Sequence, residues 1–173
     1  MRREHLRGDR VVLRPLERER LPRCVTWFND PEVTHFLGRE TPLTMEQEER
    51  WYSDYRAKLD EEIYAIEVEG HHIGNIGLHS IDRTNRKANV GIVIGEKEYW
   101  SKGYGGDAMM TALRYAFSRL GLHKLNLDVI EYNARAIHVY EKCGFVQEGV
   151  RRDELLKRGR FVNLIRMSIL EAG

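Results

Sequence analysis

The chain has 173 residues, of which 42% are hydrophobic and 32% charged, a composition and length that predict one globular domain, 1–173, with a full core of its own. A formal net charge of +1, without a long run of Lys or Arg, argues against nucleic acid as a partner. Two cysteines, Cys24 and Cys143, are too few for a disulfide framework, and no apolar run is long enough to cross a bilayer, so we expect a cytoplasmic protein with no membrane partner.

The first third of the chain predicts one strand followed by three helices. Residues 10–14 hold β-branched side chains just before Pro15, which favours a short strand. Asp30 and the Thr44/Gln47 pair have the chemistry and spacing of helix N-caps. Apolar residues at helical spacing predict helices over residues 19–28, 31–37 and 44–59.

The remaining chain predicts a meander, one β-α-β unit and a closing hairpin. Apolar alternation predicts strands over residues 63–68, 73–81, 87–94, 124–130, 145–150 and 161–170. Helical spacing predicts helices over residues 108–120 and 133–144, the second capped by Asn133. Gly91 is a candidate β-bulge. We therefore expect an α/β fold: a mixed, mostly antiparallel sheet with one parallel β-α-β unit and helices on both faces.

The run WSKGYGGDA at residues 100–108 is the strongest functional signal. Its three glycines precede a helical pattern, and a glycine-rich helix start is suited to bind a polyphosphate through free backbone N–H groups. A plain glycine turn is the simpler alternative. Gly103, Gly105 and Ala108 also fit the GxGxxA dinucleotide fingerprint, with Asp128 as a ribose partner, but eight residues separate the preceding strand from these glycines.

A second motif, NARAIHVYEKCGF at residues 133–145, follows one strand later. Together with VGIVIGEKEYWSKGYGGDA it resembles the GNAT superfamily of N-acetyltransferases, and more narrowly its branch of ribosomal-protein and polyamine acetyltransferases. The predicted order of elements matches that fold along essentially the whole chain. The resemblance implies acetyl-CoA (coenzyme A) as cofactor and a primary amine as acceptor.

The resemblance also implies a cofactor site. The pyrophosphate would lie on backbone N–H groups at the helix start, the pantetheine arm would run between two splayed strands, and Asn133 would bind the arm. Tyr140 would be the catalytic general acid for the leaving thiolate, whereas an aromatic at this helical position could otherwise simply fill core. The cofactor-binding candidates are Ile92, Val93, Ile94, Lys102, Gly103, Tyr104, Gly105, Gly106, Asp107, Asn133 and Tyr140.

Two positions depart from the family pattern. Trp100 stands where relatives often have Gln or Arg, so its side chain is not assigned to phosphate. Asn89 stands where many relatives carry a carboxylate, and an amide cannot act as a base. The general base is therefore open, with three candidates on neighbouring strands: Glu67, His79 and Asp128.

The acceptor is the least determined part of the prediction. We expect no metal site, because His71, His72 and His79 lack further ligands at suitable spacing. The charged helix face at residues 46–50 indicates solvated surface. We favour a protein N-terminal α-amine, followed by a polyamine, aminosugar or other small amine, with a non-catalytic acyl-CoA sensor as the alternative and self-association as an option. The substrate candidates are Trp27, Phe28, Asp30, Glu32, Tyr52 and Asn89.

Overall fold

The computed structural model describes residues 3–39 and 42–172. Its strands are Leu6–Arg7 (β1), Val12–Pro15 (β2), Glu62–Val68 (β3), His71–Asp82 (β4), Lys87–Ile94 (β5), Lys124–Ile130 (β6), Val146–Lys157 (β7) and Arg160–Leu170 (β8). Its α-helices are Leu21–Phe28 (α1), Pro31–Thr34 (α2), Met45–Arg56 (α3), Tyr104–Ser118 (α4) and Ala134–Cys143 (α5). Two short 3-10 helices lie at Arg18–Arg20 and Lys97–Tyr99.

The strands form one sheet in the order β1-β2-β3-β4-β5-β6-β8-β7. Every neighbouring pair is antiparallel except β5 and β6, which are parallel and joined through α4. The parallel pairing covers only Lys87–Asn89 against Lys124–Asn126, and the two strands then separate. The predicted α/β sheet, with its single β-α-β unit, is confirmed, and the separation opens a gap in the middle of the sheet.

The helices cover both faces of the sheet, as predicted. Alternate residues of β3 face opposite ways, so Ile63 and Ala65 pack with α1–α3 while Tyr64 and Ile66 pack with α4. Cys24 is buried in the first cluster, and both cysteines are free. Among the described helices, none is long and apolar enough to span a membrane.

Several predicted boundaries were wrong. The first strand pairs as Val12–Pro15 rather than 10–14, and a further strand precedes it, because β1 has two residues and so carries no pattern. Helix α3 ends at Arg56, leaving Leu59 92% exposed. Strand β7 continues to Lys157 rather than ending at residue 150, since an exposed edge strand tolerates charges that hide its alternation.

The bulge predicted at Gly91 is absent from its strand. Gly91 pairs in regular register with Gly77, and the irregularity lies on β4 between His79 and Asp82, where Ser80 has a φ of 50°. A glycine can also lie in a regular pair where a neighbouring side chain covers it, so the residue type alone does not mark a bulge. The His79 ring lies over this glycine pair, and a Cβ on Gly77 would stand 2.8 Å from His79 Nε2.

Candidate active site

A cleft of about 580 Å³ occupies the gap between β5 and β6. Its walls include residues 90–94 of β5, 127–130 of β6, 103–106 at the start of α4, residues of α5 between 133 and 140, and 36–39 after α2, together with side chains of α1, α3 and β4. Because β5 and β6 diverge, backbone that would normally pair between strands faces open space. This cleft brings together most of the residues predicted to bind the cofactor.

The backbone of β5 alternates between the neighbouring strand and the cleft. Gly95 donates a 2.8 Å hydrogen bond to the Ile73 carbonyl, which fixes the odd-numbered residues of β5 as the partners of β4. The N–H and C=O groups of Ile92 and Ile94 therefore face the gap, while Val93 pairs with β4. Of the three β5 residues predicted to bind the cofactor, Ile92 and Ile94 thus turn their backbone groups toward the gap and Val93 does not. Trp100 donates from Nε1 to the Ile94 carbonyl at 2.7 Å, so this side chain braces the strand end.

The start of α4 presents an anion site. Gly103 has a φ of 86° and precedes the helix, so the N–H groups of Tyr104, Gly105 and Gly106 have no intrahelical partner. The Asp107 N–H already donates to the Gly103 carbonyl at 3.1 Å. Three free N–H groups at the positive end of a 15-residue helix suit a pyrophosphate.

Two of the predicted cofactor residues have other contacts. The Asp107 carboxylate accepts N–H groups of Asp9, Arg10 and Val11 at 3.0, 2.8 and 2.9 Å, which ties the β1–β2 turn to α4. Burial raises the pKa of Asp107, but these three bonds outweigh burial and lower it. The exposed Lys102 accepts a 2.7 Å hydrogen bond from Arg10 through its carbonyl. The Asp107 carboxylate therefore serves as a structural anchor between the β1–β2 turn and α4.

Sequence reasoning missed two cations, Arg10 beside this anion site and Arg135 in the cleft wall. The guanidinium of Arg10 stacks 4.4 Å from the Tyr104 ring centroid, and that of Arg135 lies 4.3 Å from the Trp100 ring centroid. Arg135 lines the cleft. Neither has a local signal in the sequence, because Arg10 reaches the glycine run from more than 90 positions away and Arg135 sits in a motif noted for other residues.

Helix α5 contributes Asn133 and Tyr140 to the cleft. The Asn133 side chain caps the helix by accepting the Ala136 N–H at 3.3 Å, which leaves its amide NH₂ for other partners. Tyr140 is half-buried, and burial, with a smaller effect from Cys143, raises its pKa to about 12. No described residue hydrogen-bonds to the Tyr140 hydroxyl. The phenol therefore stays protonated near neutral pH and is a hydrogen-bond donor.

The predicted substrate residues do not converge on the cleft. Trp27 and Tyr52 are buried in the core, where they donate to Glu96 Oε1 at 3.1 Å and to the Leu16 carbonyl at 3.3 Å. Asp30 and Glu32 both bind the Lys97 ammonium, at 3.0 and 3.2 Å, and Asn89 accepts from Arg166 at 3.4 Å before the strands separate. Of the six candidates, Phe28 alone lines the cleft.

Glu48 is the residue of this region that sequence reasoning misplaced. It lies in the run predicted as solvated surface, yet it is 4% exposed and lines the cleft beside Trp51 and Cys24. Its Oε2 atom is buried without a hydrogen-bond partner among the described residues. Burial raises the pKa of this carboxyl, and the charge of Arg39 offsets the rise only in part. A buried carboxylate oxygen without a partner is the kind of group that a cation or an ordered water can satisfy.

The three candidate bases have different surroundings. Glu67 lies outside the cleft lining, held by Arg14 at 2.6 Å and by Arg20. Asp128 lines the cleft, but Arg166 binds it at 3.0 Å and Arg151 approaches to 3.6 Å. His79 lines the cleft over the two glycines, and its Nδ1 is 3.7 Å from Glu61 Oε2. Among the described residues no group of three or more His, Cys, Asp or Glu is placed to hold a metal.

Comparison with known proteins establishes the class. A family model described as an acetyltransferase (GNAT) domain matches residues 10–146. Spermidine N(1)-acetyltransferase of Escherichia coli K12 is 34% identical over 161 residues, which are 93% of this chain and 86% of that protein. The chain therefore belongs to the GNAT acetyltransferase family, as its two motifs predicted.

The solved structures agree with this assignment. The crystal structure of spermidine N-acetyltransferase from Vibrio cholerae in complex with CoA and spermine superposes with a TM-score of 0.89, at 31% identity, covering 95% of this chain and 97% of that one. A dodecameric structure of the Vibrio cholerae enzyme superposes with a TM-score of 0.81, at 30% identity, covering 95% of each chain. The protein is an N-acetyltransferase that uses acetyl-CoA, which excludes the dinucleotide interpretation of its glycine run and the sensor alternative.

Proposed function

We propose that this enzyme acetylates a polyamine. The observation that carries the proposal is Glu48, a buried carboxylate that opens onto the cleft with one oxygen lacking a partner. A polyamine has a second ammonium group beyond the one that reacts, and a buried carboxylate gains most from a neighbour of opposite charge. A protein N-terminus has one reacting amine and no fixed second cation. The spermidine acetyltransferases among the relatives support the same choice over the protein N-terminal amine that the sequence favoured.

The cofactor would occupy the part of the cleft nearest α4. Its pyrophosphate would accept the free N–H groups of residues 104–106, and Arg10 would add a positive charge at the rim. The pantetheine arm would pair with the Ile92 carbonyl and the Ile94 N–H, which face the gap. Asn133 would donate its amide NH₂ to the arm. This arrangement leaves the thioester between β5 and the Tyr140 hydroxyl.

Tyr140 would stabilise the departing sulfur. A phenol with a pKa of about 12 is about 3.5 pK units weaker as an acid than an ordinary thiol, which corresponds to about 5 kcal/mol against full proton transfer. A hydrogen bond from the phenol to the developing thiolate requires no such transfer. The N–H of Ile92 would steady the carbonyl oxygen as negative charge develops on it.

A panel of acceptors tests the acceptor class. The protein would be mixed with acetyl-CoA and with spermidine, a monoamine of similar length or a peptide with a free α-amine, and release of free thiol followed. We expect a kcat/KM for spermidine at least tenfold above that for the monoamine and the peptide. An equal or higher kcat/KM for the peptide would overturn the polyamine proposal.

The role of Tyr140 has its own test. Tyr140→Phe keeps the ring and removes the hydroxyl, so we expect kcat to fall by about 10- to 100-fold while the affinity for CoA is retained. A variant with the wild-type kcat would show that the hydroxyl does not act on the leaving group.

The enzyme would also self-associate. Exposed apolar side chains lie together on the last hairpin, where Leu156 and Phe161 are cross-strand partners and are both more than half exposed. The dodecameric Vibrio cholerae structure supports this expectation. Sedimentation velocity would test it, and a monomer across the accessible concentration range would contradict it.

A further inference from the structure

His79 lies in the cleft wall with its ring packed over two glycines. Its ring lies over Gly77 of its own strand and Gly91 of β5, which are direct cross-strand partners. A Cβ at Gly77 would stand 2.8 Å from His79 Nε2, so a larger residue there would displace the ring, and a Cβ at Gly91 would stand 3.6 Å from the same atom, in ordinary contact. The two glycines together form a floor on which the imidazole rests against the sheet.

The backbone next to His79 aims the side chain. The register of β4 against β5 shifts between His79 and Asp82, and Ser80 adopts a left-handed φ of 50°. A bulge of this kind redirects the neighbouring side chain, and bulges are common beside active sites. The ring is thereby placed over Gly91, the residue that precedes Ile92, whose backbone faces the gap.

The two ring nitrogens of His79 have different neighbours. Nδ1 lies 3.7 Å from Glu61 Oε2, and Glu61 is largely buried and also bound to Lys58 at 3.2 Å. No described residue hydrogen-bonds to Nε2, and His79 lines the cleft. Nδ1 thus faces a carboxylate, while the opposite nitrogen stays available to a molecule in the cleft.

We propose that His79 is the general base of the reaction and that Glu61 is its positioning partner. Nε2 takes one proton from the acceptor ammonium, which leaves a neutral amine. The amine nitrogen then forms the N–C bond to the acetyl carbonyl, the C–S bond breaks, and the electron pair departs on the sulfur of CoA. The nitrogen releases its second proton, which the departing thiolate takes up to give the amide and free CoA thiol. The Glu61 carboxylate stabilises the imidazolium formed in the first step. His79 would thus supply the general base that Asn89 cannot be. The assignment rests on the thioester position proposed above rather than on the identity of the amine.

Removal and chemical rescue test the assignment. His79→Ala leaves a space over two glycines, so we expect kcat to fall by about 100-fold, with the KM for acetyl-CoA unchanged, and added imidazole to restore part of the rate. Imidazole should not accelerate the wild type. His79→Gln, which fills the space without accepting a proton, should be as slow as His79→Ala. His71→Ala, an exposed histidine on the same strand, is the matched control and should keep the wild-type rate.

The outcomes separate the two proposals. A His79→Gln variant within twofold of the wild-type kcat, or a His79→Ala variant whose lost rate imidazole does not restore, would overturn the base assignment. The melting temperatures of both variants show whether any loss of activity is caused by unfolding. The assay uses the amine with the highest turnover in the panel, so a failure of spermidine as acceptor would refute the polyamine proposal and leave the His79 test intact.

Discussion

Lys157, at the tip of the β7–β8 hairpin, donates a 2.7 Å hydrogen bond to the carbonyl of Leu37 in the loop after α2. The same ammonium donates to the carbonyls of Thr34 and Arg39, at 2.8 and 3.2 Å. Lys157 is 6% exposed, and residues 36–39 line the cleft. A residue about 120 positions later in the chain thus holds the wall against which an amine would bind.

Lys157→Met should loosen this wall selectively. Methionine retains most of the side-chain volume but donates no hydrogen bond, so three carbonyls lose their shared donor. We expect the KM for the amine to rise about tenfold while the KM for acetyl-CoA stays unchanged, and the free energy of unfolding to fall by about 2 kcal/mol. Steady-state kinetics with each substrate varied in turn, with the exposed Lys87→Met as control, provides the measurement. Equal changes in both KM values would contradict a local effect on the acceptor wall.

Gly105→Ala separates the pyrophosphate site from a plain glycine turn. A Cβ at Gly105 would meet only Ile94 Cγ1, at 3.9 Å, so the free enzyme has room for it, and alanine in place of glycine stabilises a helix by up to about 1 kcal/mol. The methyl group would project beside the three free N–H groups and hinder a bound phosphate. We expect a higher melting temperature together with weaker CoA binding, measured by calorimetry. Unchanged CoA affinity would indicate that the glycine serves only the turn.

Asp107→Ala should act first on stability. The carboxylate accepts three backbone N–H groups of the β1–β2 turn, so its removal leaves those donors unpaired and should cost about 2 kcal/mol. Because its folded-state pKa is lowered, the wild-type contribution is present above the unfolded pKa, near 3.8, and is lost as pH falls through the lower folded value. Denaturant unfolding from pH 7 to pH 3 should therefore show a difference between the two proteins that narrows toward acid. A difference in the free energy of unfolding that stays constant from pH 7 to pH 3 would show that the ionised carboxylate of Asp107 does not stabilise the fold.

The strands, the β-α-β unit and the N-caps at Asp30 and Thr44 were predictable because a local pattern in the sequence marks each of them. The residues proposed to bind the acceptor were not predictable, because they come together from distant parts of the chain. Glu48 sits in a run of charged residues, and only the fold shows that the helix turns this one inward. Trp27 and Tyr52 looked suited to ligand contact because aromatic type is visible in sequence, whereas burial is not. Strand β7 was predicted too short because most of its side chains are exposed on both faces, so no apolar alternation marks its second half.

Glu48→Gln should stabilise the enzyme and impair its use of polyamines. Burial raises the folded-state pKa of this carboxyl, so the ionised form destabilises the fold at neutral pH, and this cost disappears below the unfolded pKa near 4.5. The amide removes the charge while keeping the shape. We expect a higher melting temperature at pH 7 and a smaller difference at pH 4.

The same variant should lose its preference for a second cation. We expect the KM for spermidine to rise about tenfold while the KM for a monoamine of similar length changes little, since the monoamine has no second ammonium for the carboxylate to bind. Glu46→Gln, on the exposed side of the same helix, is the matched control and should match the wild type in both respects. Spermidine should also raise the melting temperature of the wild type more than that of Glu48→Gln, because a ligand that binds the folded state more tightly stabilises it more. Equal spermidine KM values in wild type and variant would remove Glu48 from the acceptor site.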